Sequence, residues 1–500
     1  MPSLILCLGI LSAPAAMPAR DQPPPLLITE VTVIPADTDD VLDARYVLIR
    51  DGRIATIATR RPRHVRPDTV TIDGRGKFLV PGFIDAHVHI ATEGAIRGSK
   101  DTAIAGLDLG DDHAYDEQVL LTLLRAGVTG AANLGGSVAS DDDLLWLRDE
   151  IKAGRVQGPR LFVGKYINGP RAAVVAPRGT DVPPSSPGAP TNAADGVAAV
   201  KAARERGYDF IKPYQFLNRE TYAAIVDEAR RLGVPTSGHL PELGCASCAD
   251  RAFAFSHKLD NIAHAEELAR YGRESDFAPA DIDTLADLVA QREVAVTPTL
   301  ITLKTIIHMY TQRDVPAVPA PWDDWVDPIT RLDWDGPQNR YLSEAFRRQP
   351  EAGTFSAGYD FARLLTRQLW KRGVTLTVGT DAPMPGLPFG VSVHQEMAEL
   401  REIGLSPLLV LRAASLNARK LFAPALGNGA VRPGQLADLV LLDANPLDDI
   451  RNVSRIAGVV THGRWLSRDD MDRHLAELAQ RSRALERQLQ LRRTSGVDDR

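Results

Sequence analysis

The sequence predicts an α/β fold: a (β/α)8 TIM-like barrel joined to a small composite β-sandwich built from both chain flanks. Two patterns point to it. Apolar strand candidates alternate with amphipathic helical stretches through the middle of the chain, and short β-rich hairpin patterns occur at both ends. A chain of 500 residues also exceeds the usual size of a single core, so a large domain with a smaller companion is expected.

The first flank covers residues 27–80. Tyr46–Arg50 runs into Asp51-Gly52 and then Arg53–Ile57, a strand, a tight turn and a strand. The second flank covers 425–468. Ala437–Asp443 reads as an apolar strand, and Ile456–Leu466 as a further hairpin. Pairing the flanks brings the two ends of the barrel segment, 81–424, together. Within that segment eight strands are expected near 83–89, 127–133, 160–166, 208–214, 233–239, 258–264, 293–299 and 374–381. Helices are expected between them, among them 114–126, 218–232 and 357–372. Gly127-Val128, Gly233-Val234 and Gly373-Val374 each stop a helix on glycine and begin a strand. A doubly wound open sheet fits the alternation too; the positions of the metal-competent residues favour the barrel.

Two connections are too long to be simple turns. Pro170–Thr191 is rich in Pro, Gly and Ser, and Leu300–Phe355 carries Trp322, Trp325, Trp334 and Tyr341. Both follow strands, so both fall on the face where barrels keep their active sites. The Trp-rich one is expected to form part of a pocket. Residues 469–500 read as a charged helix facing solvent or a partner.

Composition narrows the function classes. Apolar residues make up 44% and charged residues 24%, and the formal net charge is −6. That balance supports neither nucleic acid nor an anionic membrane as partner. No apolar run reaches 18 residues. A small-molecule substrate is the expected partner, with self-association into a homo-oligomer left open. Residues 1–19 read as a signal peptide, with an apolar stretch Leu4–Leu11 followed by Ala13-Pro14-Ala15, although no Lys or Arg precedes it. A periplasmic or secreted protein is expected, cytoplasmic if the leader is not a signal. Without Cys7, the remaining Cys245 and Cys248 close a small disulfide or are two inert loop thiols.

The chemistry begins with His87 and His89 in Val80-Pro-Gly-Phe-Ile-Asp-Ala-His-Val-His-Ile90. Residues two apart on a strand share a face, so two imidazoles can grip one ion. Alone the pair is a weak signal. Lys212, His239, His264 and Asp381 end four later strand candidates. The C-terminal ends of barrel strands converge, so all six would meet. Individually each has a plain structural role available: a hydrogen-bonded core histidine, a salt-bridge lysine, a helix-capping aspartate. Lys212 needs its own argument, because a protonated amine cannot bind metal. Burial favours the neutral form, which adds carbon dioxide to give a carbamate able to bridge two ions. The competing reading is one metal, with Lys212 a substrate-binding cation.

Together these motifs resemble the amidohydrolase superfamily, in its imidazolonepropionase-like and binuclear metal-dependent dipeptidase-like branch. The similarity rests on Val80–His89, Tyr208–Tyr214, Gly238-His239, Asn261–His264 and Val378–Ala382, with Ala413–Asn417 and Pro433–Val440. The resemblance implies that His87, His89 and Asp381 hold a buried metal and His239 and His264 a more exposed one. N6-carboxylated Lys212 would bridge them, the ions would be zinc, and Tyr214 would touch substrate. It implies hydrolysis of an amide-type C–N bond in an N-acyl amino acid or dipeptide-like substrate, with Asp381 shuttling the proton. Ester, lactone or phosphotriester hydrolysis and a non-catalytic scaffold are the alternatives. One departure stands out: relatives often carry Thr-Val-Arg-Asp where this chain has Gly130-Ala-Ala-Asn-Leu-Gly-Gly136.

Overall fold

The structure is a computed structural model that describes residues 23–97, 104, 107–109, 113–135, 141–170, 189–214, 216–241, 251–269, 279–335, 339–348 and 355–494. The expected leader at 1–19, Cys245 and Cys248, and most of the 170–191 connection lie outside these residues.

The chain forms a mixed α/β fold with a parallel, curled sheet. The first flank supplies β1 (Leu26–Val33), β2 (Leu42–Arg50), β3 (Arg53–Ala58), β4 (Val70–Asp73) and β5 (Phe78–Pro81). Next come β6 (Phe83–Val88), β7 (Val128–Asn133), β8 (Arg160–Ile167), β9 (Phe210–Pro213), β10 (Ser237–Gly238), β11 (Asn261–Ala263) and β12 (Ala295–Thr297). The second flank adds β13 (Leu439–Leu442), β14 (Ile456–Thr461) and β15 (Arg464–Ser467).

The flanks hydrogen-bond into one eight-stranded sheet in the order β15-β14-β13-β5-β1-β2-β3, with β4 also on β1. The link between flanks is the antiparallel pairing of β13 with β5, Leu439 opposite Pro81 and Leu442 opposite Phe78. Both expected hairpins form. Asp51-Gly52 and His462-Gly463 all have positive φ, as two-residue turns matching strand twist require. Ile28, Val33, Val47, Ile54, Leu79, Leu439 and Val460 close a separate apolar core between these strands.

The inner strands run parallel in two stretches, β6-β7-β8-β9 and β10-β11-β12. Ile211 bridges to Thr236, joining the stretches on one side. On the other side 374–382 does not form a regular strand. It pairs through isolated bridges, Leu376 with Val296 and Ala382 with Val88, and through the Ala86 amide donating to the Val378 carbonyl at 2.8 Å. The positive φ of Asp381 takes the chain out of strand geometry, and Gly379 lets this segment pass close to His87 and Thr297. The glycine stops occur as expected: Gly127, Gly233 and Gly373 all have positive φ behind helices Ala114–Arg125, Arg219–Leu232 and Phe355–Lys371.

The C-terminal helix, Arg468–Thr494, corrects the expectation of a helix facing solvent or a partner: one of its faces packs on the chain's own core. Met471, Leu475, Leu478, Leu485 and Leu489 are buried in the main core. Their spacing makes a narrow apolar stripe that a charge-rich composition hides. Arg125 binds Asp472, and Ser482 binds Gln118, tying the helix to Ala114–Arg125. No helix among the described residues is long and apolar enough to cross a membrane.

Candidate metal centre

The inner sheet has two faces, read from its packing. Ile84, Ala86, Ala132, Phe162, Phe210 and Ala263 share one apolar cluster with Ala418 and Phe422. Phe83, Val88, Val128, Ala131, Val163, Ile211 and Ile262 belong to the cluster packed with the helices. Ile84 and Ala86 are thus on one face, and strict alternation would add Val88. A register irregularity between Asp85 and Val88 breaks the period, and Val88 packs on the helix side. Asp85 fixes this turn of chain. Its carboxylate accepts from the His87 amide at 3.1 Å, the Thr380 amide at 3.1 Å and the Thr380 hydroxyl at 2.6 Å. That couples the histidine pair to the segment bearing Asp381.

The result is a triangle of donor atoms. Nε2 of His87 and Nε2 of His89 stand 3.2 Å apart, and Asp381 Oδ1 lies 3.2 and 3.0 Å from them. His89 Nδ1 contacts the Gly135 carbonyl at 2.5 Å and must donate to it, which leaves the lone pair on Nε2. Ligands of a tetrahedral zinc, each about 2.0–2.1 Å from the ion, are spaced roughly 3.3 Å apart. The triangle therefore fits one divalent ion with little movement. Burial drives His87 well below the usual imidazole range, so its ring is neutral, as a ligand must be.

His264 lies beside His87 with the rings tilted, ring centres 4.7 Å apart, and His239 lies 5.0 Å from His264. In each the Nδ1 atom is engaged. His264 Nδ1 pairs with the Thr299 hydroxyl at 2.7 Å, and His239 Nδ1 with a Glu267 carboxylate oxygen. Only Nε2 can then offer a lone pair to a cation. Burial pushes His264 down to about 3, so it too is neutral. By side-chain burial neither half is clearly the deeper one. His89 and Asp381 are 22% and 19% exposed, while His239 and His264 are 7% and 9%.

Lys212 is 1% exposed at the end of β9. Its stem passes over Gly238, where a Cβ would lie 3.1 Å from Lys212 Cγ. Its Nζ faces the Tyr214 ring at 5.2 Å and the Tyr166 ring at 6.0 Å. Burial brings its amine down to about 8, opposed by the charges of Asp381 and Glu267. Tyr214 sits edge-on to His239, ring centres 4.4 Å apart. All six sequence-expected ligands and Tyr214 thus lie along one connected line of side chains.

The supporting groups were not legible in the sequence. Glu267, in the short helical turn Ala265–Leu268, and Thr299, at the start of the helix Leu300–Gln312, carry no local signal of a role until folding sets them against His239 and His264. In the departed segment 130–136, a backbone carbonyl, Gly135, orients His89, and Asn133 accepts from the Ile90 amide at 2.6 Å. The Trp-rich insertion divides. Trp322 and Trp325 pack under Arg125, away from the centre. Trp334 is buried and donates to the Pro383 carbonyl at 2.8 Å, and Tyr341 packs on Met384, so this half braces the turn after Asp381.

The amidohydrolase family pattern matches residues 78–466. Bottromycin amidohydrolase superposes with a TM-score of 0.65 at 24% identity, covering 92% of this chain and 91% of that one. A Xaa-Pro dipeptidase with methionine bound in its active site superposes at 0.63 with 20% identity, covering 89% and 100%. Likeness at such identity concerns the fold. An adenine deaminase of Rubrobacter xylanophilus is 36% identical over 76 residues, 15% of this chain and 12% of that protein. The match thus spans about one eighth of that relative's length. With the family pattern covering most of its length, the chain belongs to the amidohydrolase family.

Proposed function

We propose that the protein is a metal-dependent hydrolase that cleaves an amide-type C–N bond in an N-acyl amino acid or dipeptide-like substrate. The observation that carries this reading is the triangle of His87 Nε2, His89 Nε2 and Asp381 Oδ1. In this reading the parallel strands and the 374–382 segment close as a (β/α)8 barrel, and the flank sheet folds over its own core as a composite β-sandwich. His87, His89 and Asp381 would hold one divalent ion and His239 and His264 another, and Lys212, as a carbamate, would offer two further oxygens. To form it, the neutral Nζ bonds the carbon of carbon dioxide and releases one proton.

Divalent ions bound there, zinc being the expected metal, supply Lewis acidity and bring the pKa of a water close to neutral. Asp381 takes the proton of the attacking water and hands it to the leaving nitrogen. Tyr214, against His239 and near the charge of Arg340, faces the substrate and supports the developing oxyanion or the substrate's own carboxylate. The branch resemblance supports a free carboxylate on the substrate, and Arg340, 4.8 Å over the Tyr341 ring and close enough to act on Tyr214, is the cation assigned that role. An exported location, read from residues 1–19, is proposed with it.

The test is a metal count joined to a substrate panel. Chelated protein should lose hydrolysis of acyl-amino acids and dipeptides and regain it with zinc. Hydrolysis that survives complete metal removal overturns the proposal. Turnover confined to lactones or phosphotriesters would move the same centre to the alternative chemistry.

A further inference from the structure

A second group of donors stands four residues beyond His89. Glu93 opens a short helix after β6, and His113 and Asp116 open the helix Ala114–Arg125. Glu93 and Asp116 are each 2% exposed. His113 Nδ1 lies 3.7 Å from Glu93 Oε2 and 3.7 Å from Asp116 Oδ2. Those separations are too long for hydrogen bonds, and neither His113 Nδ1 nor Asp116 Oδ2 has a hydrogen-bond partner. A buried, unpartnered carboxylate oxygen aimed at an unpartnered imidazole nitrogen is costly unless something lies between them.

We propose that Glu93, His113 and Asp116 form a cation site separate from the six-ligand centre. It takes a divalent ion of the zinc or manganese type. Donors of such an ion stand roughly 3.3–3.6 Å apart, so a small inward movement of the 3.7 Å pairs closes the site. An imidazole nitrogen among the donors favours these metals over calcium or magnesium, which prefer oxygen alone.

The other contacts of the three residues hold the donors in place. Asp116 Oδ1 accepts from the Glu93 amide at 2.8 Å, and Glu93 Oε1 accepts from the Tyr115 amide at 3.0 Å. Each carboxylate therefore spends one oxygen on the backbone and presents the other to the cluster. The His113 ring is steadied by Trp146, ring centres 4.9 Å apart. Gly94 allows a further carboxylate close, since a Cβ there would lie 2.9 Å from Asp143 Cγ. Arg97 reaches Glu93 Oε2 at 3.3 Å from the solvent side, its side chain 41% exposed, and competes with the ion. The other occupant of this space is a proton on His113 paired with both carboxylates. Asp116 and Glu93 indeed hold that imidazole above its usual range. Proton and metal would compete for Nδ1.

The experiment uses the full chain, stripped with chelator, reloaded with zinc and desalted. Zinc per chain is compared between the wild type and the variants Asp116→Asn and His113→Gln. The comparison is repeated in a His87→Ala/His89→Ala background that damages the six-ligand centre. Each cluster variant should carry one zinc fewer than its parent in both backgrounds; equal counts in parent and variant overturn the site. Anomalous diffraction from zinc-soaked crystals of the unaltered chain guards against variants that misfold. A peak between His113, Glu93 and Asp116 is expected. Its absence while the six-ligand centre is occupied overturns the site, and an empty six-ligand centre beside a filled cluster counts against the proposed function instead.

Discussion

Glu267 grips His239: one carboxylate oxygen pairs with His239 Nδ1 and the other accepts from the Leu240 amide at 3.1 Å. A carboxylate behind a ligating histidine fixes its tautomer and raises its basicity. With His239 holding a metal as proposed, Glu267→Gln should weaken its retention by roughly 10–100-fold. Competition with a zinc chelator measures this, and activity should return at saturating zinc. Unaltered retention would leave Glu267 as a packing residue.

Lys212→Ala should abolish most hydrolysis, with partial recovery when a short carboxylate such as formate is added. Such a carboxylate supplies the two oxygens that the proposed carbamate would offer. Activity in the variant that matches wild type without any additive would remove Lys212 from the centre.

Arg340 touches the Tyr341 hydroxyl at 2.7 Å and lies close enough to Tyr214 to act on its charge. Hydrogen bonds to a charged group contribute about 1.5–3 kcal/mol, so Arg340→Met should raise KM for substrates with a free carboxylate roughly 10–100-fold. The kcat should change little. Amidated analogues should be insensitive, and an equal loss on both would point to damage of the turn rather than to carboxylate recognition.

Asp438 is buried where the flank sheet meets the inner strands, between Arg160 at 2.7 Å and Arg419 at 2.8 Å. Burial alone would raise its carboxyl, but the two guanidinium groups hold it well below the ordinary value of 3.8. Its contribution to stability is thus present above that value and disappears as pH falls further. Asp438→Asn strands the buried Arg419 and the partly buried Arg160 and should cost about 3–5 kcal/mol at neutral pH. Chemical denaturation at pH 7 checks the size. The gap between wild type and variant should narrow in acid, below the ordinary aspartate range.

Glu396 runs the opposite way. Burial pushes its carboxyl up to about 8, against the pull of the Leu300 and Ile301 amides that it accepts at 3.0 and 2.8 Å. A raised carboxyl favours the folded state below the ordinary value of 4.5, and that contribution is lost as pH climbs to about 8. Melting temperature should fall across this window in wild type, and less steeply in Glu396→Gln. Parallel profiles would assign the trend to other groups.

The candidate ligands are legible because they follow local rules. His87 and His89 sit two apart, and Lys212, His239, His264 and Asp381 each close an apolar segment, so period and position alone bring them forward. The hairpins at Asp51-Gly52 and His462-Gly463 and the glycine stops are likewise local, since φ preference belongs to the residue itself. The packing face of the C-terminal helix is hidden in the sequence because its apolar stripe is narrow against many charges. Which face of that helix meets the core depends on where Ala114–Arg125 lies.

The sequence by itself determined the α/β alternation, the family and the identity of the metal-competent side chains. Only the tertiary structure decided what stands behind them: Gly135 on His89, Thr299 on His264, Glu267 on His239 and Asp85 across to Thr380. It also decided that Glu93 stands beside His113 and Asp116, 20 and 23 residues away in the chain. The physical reason is that a hydrogen bond or a shared cation needs atoms within about 3–4 Å, and no local preference fixes the separation of residues on different elements.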